Sequence, residues 1–205
     1  ALLLRGAVTA ARGGWAEAVA YFTASRNIES GTEPSKNRAT AYLIKAALQA
    51  GDVSAASERL QQLSHSSEDV ELWVAYYRGL MEYVKAVDEL SGSEKARALY
   101  QSALDIWDTV LRHEKVRELA ATDDLLDLAR YLIQARMALG QAGEPMVTVK
   151  DLLQRGVLDR SFTEFLVMEF VSPDEQQAFI RELESLFVNR KVEELQQRWV
   201  EVTQT

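Results

Sequence analysis

The sequence contains no cysteine and only two histidines in 205 residues. The lack of cysteine excludes thiol nucleophiles, disulfides and cysteine-based zinc or iron–sulfur sites, and two histidines are too few for a histidine-rich metal site. Prolines number three and glycines ten, and 47% of the residues are hydrophobic, which is typical of an ordered globular chain. No run approaches the roughly eighteen apolar residues of a membrane span. We therefore expect a soluble protein without a cofactor, in either the cytoplasm or a bacterial periplasm.

Negative charge predominates, with 31 Asp and Glu against 23 Lys and Arg and a net charge of −8. An acidic surface repels phosphate backbones and anionic membranes, so a nucleic-acid partner and membrane insertion are not expected. Residues 1–102 hold eleven basic and twelve acidic residues, whereas residues 103–205 hold twelve and nineteen. Most of the excess negative charge therefore lies in the second half of the chain.

A repeated pattern runs through the first half. A glycine turn at Gly13 is followed by Ala18 and Phe22, and a second turn 38 residues later, at Gly51, is followed by Ala56 and Leu60. A third copy, 40 residues beyond Ala56 and without a glycine in phase, keeps three further residues, Ala96, Tyr100 and Ala103. Apolar stretches of helical period precede each copy, over 2–11, 39–50 and 72–90. Each unit is therefore predicted to be a helix, a turn and a second helix, because a lone hairpin cannot bury its apolar face and stacked hairpins can.

Helix start signals support an all-α fold. Four residues are placed to cap a following apolar run, namely Asp52, Ser67, Ser93 and Thr122. Two capping boxes, Ser161 to Glu164 and Ser172 to Glu175, predict helices over 161–170 and 173–187. A last helix is predicted from Asn189 to Val202. Residues 72–90 and 93–112 are predicted to form the longest hairpin.

These residues resemble tetratricopeptide (TPR) repeats. The matching positions are Gly6, Gly13, Trp15, Ala18 and Phe22 in the first unit, Leu43, Gly51, Ala56 and Leu60 in the second, and Trp73, Ala96, Tyr100 and Ala103 in the third. The offsets of 38 and 40 exceed the family's usual period of about 34 residues, and the closing proline is found only as the displaced Pro34. The resemblance implies a superhelix with three TPR-like hairpins in residues 1–112. Residues 113–205 would hold a weak fourth hairpin, from Leu125 through Gly143 to Gln154, and C-terminal capping helices.

The resemblance also implies a function, that of a scaffold or adaptor that holds a segment of another protein in a concave groove, within a larger assembly. The matching groove positions are Leu3, Ala7 and Ala10 in the first unit, Arg38, Ala41, Lys45 and Leu48 in the second, and Glu71, Val74, Arg78 and Met81 in the third. Three cations on one face, Arg38, Lys45 and Arg78, would receive an acidic or C-terminal carboxylate segment. Alternatively, these cations are solvated charges paired with Glu71 or Glu82. The asparagines used by chaperone-tail-binding TPR proteins are absent from the matching positions, so a chaperone partner is not favoured.

Two other functions fit parts of the sequence. Symmetric packing of an end hairpin or of the C-terminal helices would give a self-associating structural subunit. Asp123, Asp124 and Asp127 spell the aspartate-rich motif with which all-α prenyltransferases hold magnesium and diphosphate, since residues one helical turn apart can share hard oxygen-ligated metal ions. The same acids in a first helical turn after Thr122 also oppose the helix dipole, which explains them without catalysis. A non-enzymatic binding protein is therefore the preferred prediction.

Overall fold

The computed structural model describes residues 1–28, 30–63, 68–113, 115–116, 124–141, 144–155, 157 and 160–185. Every regular element in these ranges is helical, which confirms the all-α prediction. Nine α-helices have both ends there: α1 (Leu2–Ala11), α2 (Trp15–Arg26), α3 (Glu33–Gln49), α4 (Val53–Leu60), α5 (Glu68–Asp88), α6 (Glu94–Arg112), α7 (Asp124–Ala138), α8 (Glu144–Gln154) and α9 (Arg160–Phe170). Residues 173–185 are also helical. The chain divides into two compact units, Ala1–Glu118 and Leu119–Thr205.

Four glycines in a left-handed conformation mark four helical hairpins. Gly13, Gly51, Gly92 and Gly140 have φ values of 84°, 74°, 76° and 80°, and they lie in the turns of α1–α2, α3–α4, α5–α6 and α7–α8. Only glycine adopts this conformation without steric cost. The third hairpin therefore has a turn glycine. The repeat pattern did not indicate it, because Gly92 lies one residue closer to Ala96 than Gly13 and Gly51 lie to Ala18 and Ala56. In the fourth, the left-handed turn glycine is Gly140, whereas the predicted Gly143 lies outside the described residues.

Three of these turns share one pattern of capping hydrogen bonds. After α3, the Gly51 backbone N–H donates to the Leu48 carbonyl at 3.0 Å and the Asp52 N–H to the Ala47 carbonyl at 2.9 Å. The same two bonds, with the same spacing, end α1 at Gly13 and α7 at Gly140. This arrangement satisfies carbonyls that the end of a helix leaves without partners.

Side-chain caps begin two of the second helices, as predicted. The Asp52 carboxylate accepts a hydrogen bond from the Ala55 backbone N–H at 2.9 Å, and Ser93 Oγ accepts one from Ala96 N–H at 3.0 Å. Ser67 and Thr122 lie outside the described residues.

We expect Asp52→Ala to lower the free energy of unfolding by about 1 kcal/mol in urea titrations, because the Ala55 N–H loses its acceptor. Glu58→Ala, on the exposed side of the same helix, is the control and should change it by less than about 0.5 kcal/mol.

Two helices begin earlier than their sequence signals indicate. α3 begins at Glu33 rather than at Ala39, and Pro34 lies in its first turn, where a missing N–H costs nothing. α9 begins at Arg160, one residue before the predicted capping serine. At the second predicted capping box, the two side chains pair with each other instead of with the backbone, and Ser172 Oγ donates to Glu175 Oε2 at 2.6 Å. The predicted helix from Asn189 to Val202 lies outside the described residues.

Small residues allow close helix contacts in the first unit. Ala18, Ala56 and Ala96 are 0–1% exposed, so the small residue of each predicted repeat is buried. Gly6 in α1 faces Phe22 in α2 so closely that a Cβ atom on Gly6 would lie 2.5 Å from Phe22 Cε1. On α3, the Tyr42 ring stacks on Phe22 with ring centroids 4.6 Å apart. The first two hairpins are thereby joined through one aromatic pair.

The long third hairpin places a glycine beside a larger aromatic residue. Gly79 of α5 lies against the indole of Trp107 of α6, and Trp107 Nε1 donates to the Tyr76 carbonyl at 3.1 Å. The Tyr83 ring lies 6.0 Å from the Trp107 ring and 5.7 Å from the Tyr100 ring, between centroids. Burial raises the pKa of the Tyr100 phenol above its usual value. The contact of Gly79 with Trp107 thus repeats that of Gly6 with Phe22, in a longer hairpin.

In its described residues, the second unit contains the α7–α8 hairpin, α9 and the helical segment 173–185. Arg136 Nη1 of α7 donates to Thr148 Oγ1 of α8 at 2.8 Å. α9 is joined to α7 by the ion pair of Arg130 and Glu169, also at 2.8 Å. Segment 173–185 is joined to α8 by Lys150, whose Nζ lies 2.7 Å from Glu182 Oε1. The predicted fourth hairpin is therefore present, and two further helices pack against it.

Candidate functional site

The seven residues predicted to contact a partner differ in their exposure to solvent. Arg78 is exposed and Arg38 is half-buried, whereas the other five, Ala41, Lys45, Leu48, Val74 and Met81, are buried. In the first hairpin, Ala10 is buried, and Leu3 and Ala7 are half-buried. A partner reaches Arg38 and Arg78 directly but the five buried residues only if their neighbours move. The binding role of all seven stays a prediction.

Burial of the α3 positions follows from the place of α3 in the fold. From Ala39 to Leu48 every residue is buried except Tyr42, which is half-buried, and α3 packs against α2, α4 and α5. Arg59 of α4 adds a hydrogen bond from Nη1 to the Leu43 carbonyl at 2.8 Å. A helix that is apolar around most of its circumference belongs to a core. Lys45, 6% exposed, has an interaction partner, as a buried cation requires.

On α5, three exposed charged residues lie seven residues apart. Glu71, Arg78 and Lys85 are exposed on one face of the helix. Glu82 lies 2.6 Å from Lys85 Nζ, so the carboxylate considered as a partner for Arg78 pairs with a lysine instead. The ion pairs among the described residues do not include Arg78. Arg78 is thus an accessible cation that a carboxylate of another protein can approach.

A polar cleft lies where the end of α2 meets the first half of α3 and the residues after α4. Its volume is about 280 Å³, and its walls are formed by Arg26, Asn27, Glu33, Lys36, Asn37, Thr40 and Gln62. Asn37 and Thr40 are buried, while Arg26 and Lys36 are half-buried. Thr40 Oγ1 donates to the Lys36 carbonyl at 2.9 Å. We name this region the α2–α3 cleft.

The α2–α3 cleft is rich in hydrogen-bond donors. Two cations and three side-chain amides line it, against one carboxylate, that of Glu33. Guanidinium and ammonium groups bind carboxylates through charge-assisted hydrogen bonds, and amide groups satisfy the carbonyl and N–H groups of a peptide. The cleft is therefore suited to a polar peptide segment that ends in, or contains, a carboxylate.

The sequence carries only a weak signal for this cleft. Lys36 and Asn37 follow Pro34 within a polar stretch, and Arg26 and Asn27 form another polar pair ten residues earlier. Gln62 lies beyond the second turn glycine. Because the three segments converge only through tertiary packing, sequence reasoning missed the cleft.

Two of the three aspartates of the enzyme alternative have partners in the structure. Asp123 lies outside the described residues, and Asp124 is fully buried with an interaction partner. Asp127 Oδ1 lies 3.5 Å from Arg130 Nη1, and Arg130 also pairs with Glu169 of α9. Across the described part of the chain, no three potential metal ligands of the His, Asp or Glu type form a group. Asp127 therefore pairs with the arginine that joins α7 to α9.

The one histidine in the described part of the chain, His113, gives no second candidate for chemistry. His65 lies outside the described residues, and His113 Nδ1 accepts a hydrogen bond from the Lys115 backbone N–H at 3.2 Å, just after α6. Among the helices with described residues, none is long and apolar enough to cross a membrane.

Comparison with other proteins does not assign the chain to a family. No protein-family model, no curated protein sequence and no solved structure matches the chain significantly. Any function assigned to the chain therefore depends on its own residues and geometry.

Proposed function

We propose that the chain is a helical-hairpin interaction protein, which binds an acidic or carboxylate-terminated segment of another protein through its first unit and serves in a larger assembly. The observation that carries the proposal is the α2–α3 cleft, where two cations and three amides line one concave region of an acidic chain. Exposed Arg78 and half-buried Arg38 supply further positive charge in the same unit. No cofactor and no catalytic step belong to this proposal.

The architecture supports a binding role. In the first unit, three successive hairpins with glycine turns give a series of helices, α1 to α6, in which each contacts the next in sequence. Such arrays present long surfaces for other chains. Clefts lined by donors then favour acidic segments, because a partner without acceptors displaces the water that binds these donors and gives them no hydrogen bonds in return.

Charge reversal in the cleft tests the proposal. We expect the double variant Lys36→Glu, Gln62→Glu to capture at least about tenfold less of the partner protein, because like charges then face the carboxylates of that partner. The measurement is affinity capture from an extract of the source organism, followed by quantitative mass spectrometry. The variant Lys95→Glu, Gln61→Glu is a matched control, since it makes the same charge change at exposed residues outside the cleft.

The possible outcomes are distinct. Loss of a partner with the cleft variant and its retention with the control support the proposal. Equal capture by both variants contradicts a binding role for the cleft. Self-association stays the alternative prediction, and capture of the chain's own copies alone, with a dimer in light scattering, would favour it.

A further inference from the structure

The outer face of α1 combines apolar residues with positive charge. Leu4 is 70% exposed and Val8 44% exposed, and they lie one turn apart. Arg5 and Arg12 are exposed along the same side of the helix, and Ala1 and Ala11 complete a stripe about one third of the circumference wide. The opposite side of α1, with Gly6 and Ala10, packs against α2. We name this stripe the α1 outer face.

A groove between α1 and α2 adjoins this face. Its volume is about 430 Å³, with Arg5, Val8 and Arg12 on one wall and Glu17 and Tyr21 on the other. The Arg5 guanidinium lies over the Tyr21 ring, 5.2 Å from its centroid, and Tyr21 Oη donates to Glu17 Oε1 at 3.2 Å. Three of the side chains that border the groove, those of Arg5, Tyr21 and Glu17, therefore contact one another.

The charge of this face contrasts with that of the whole chain. Among the nine helices with both ends in the described part, α1 is the one whose sequence has no Asp or Glu, although the chain has a net charge of −8. Leu4, Val8 and Ala11 form an exposed ridge of spacing i, i+4 and i+7, the spacing of ridges that fit into the groove of another helix. The two arginines that flank the ridge attract carboxylates.

We infer that the α1 outer face and its adjoining groove bind an amphipathic helix of a partner protein, with an apolar stripe flanked by Asp and Glu. This surface is separate from the α2–α3 cleft, and the inference does not depend on the function proposed for the cleft. Charge complementarity selects the occupant. A second copy of the same face would bring arginines against arginines, and two arginines fall short of the cluster of about four to eight cations that binds anionic lipid.

Paired peptides test the inference on the full chain. The probes are two synthetic amphipathic helices with the same leucine stripe, one flanked by glutamates and the other by lysines, and binding is followed by fluorescence anisotropy. We expect the glutamate peptide to bind about tenfold more tightly than the lysine peptide, with the difference shrinking as salt is raised. The variant Arg5→Glu, Arg12→Glu should reverse the preference, whereas Val8→Asp should weaken both peptides.

The variant Lys95→Glu, Arg112→Glu is the control, because it reverses two exposed cations on α6 and should leave the preference unchanged. A reversed preference is a gain of binding for the lysine peptide, so an unfolded variant cannot produce it. Equal affinity for both peptides, or an unchanged preference after Arg5→Glu, Arg12→Glu, would overturn the inference. A dimer that Val8→Asp dissociates, or binding to phosphatidylserine vesicles without peptide binding, would also overturn it.

Discussion

Trp107→Ala is expected to lower the free energy of unfolding by about 3–5 kcal/mol, the range for removal of a large buried aromatic side chain. Trp107 is fully buried, its Nε1 donates to the Tyr76 carbonyl, and its ring fills the space beside Gly79. The substitution removes these contacts and leaves a cavity between α5 and α6. Urea unfolding followed by far-UV circular dichroism measures the change.

Val87→Ala is the matched control for this prediction, because Val87 is 55% exposed on the same hairpin. Its effect should stay below about 0.5 kcal/mol. A similar small effect of Trp107→Ala would contradict the packing described for the third hairpin.

Gly6→Leu is expected to destabilise the first unit by about 2–3 kcal/mol through overpacking, although leucine is a better helix former than glycine. Even a Cβ atom at this position comes 2.5 Å from the Phe22 ring, which is itself held by its stack on Tyr42. Urea unfolding of Gly6→Leu, Phe22→Ala and the double variant forms a thermodynamic cycle. The double variant should be more stable than the sum of the single effects predicts, by at least about 1 kcal/mol, because the introduced leucine fills space that the Phe22 ring vacates.

Ala11→Leu, at an exposed position of the same helix, controls for the added side chain and should have little effect on stability. Additive effects of Gly6→Leu and Phe22→Ala would show that the two residues are not in contact.

Much of the helical arrangement could be predicted from local signals. The predicted stretch 2–11 coincides with α1, since a clear apolar period ends there at a glycine pair. Asp52 and Ser93 cap the helices that they were expected to cap, because an N-cap depends on residues three positions apart. The predicted stretch begins at Ala39, six residues after the observed start of α3, because the stretch from Glu33 to Arg38 is polar and has no apolar period.

The candidate site was less accessible to sequence reasoning. Transferring groove positions from a resemblance selected Lys45, Val74 and Met81, but burial of a side chain depends on which helices surround it, and the structure encloses these residues. Arg78 is exposed because it lies, with Glu71 and Lys85, on a face of α5 that is directed away from the core. The α2–α3 cleft combines residues as distant as Arg26 and Gln62, and no local pattern encodes that convergence.

Photo-crosslinking in the source organism tests whether the first unit binds another protein. Single photoreactive residues would replace Gln62 in the α2–α3 cleft, exposed Arg78 on α5, and, as a control, exposed Arg97 on α6. We predict that illumination links positions 62 and 78 to the same partner protein, through an acidic or C-terminal segment identified by mass spectrometry, and that position 97 gives no such product. Crosslinks from position 97 alone, or products from all three positions that contain only further copies of this chain, would contradict it.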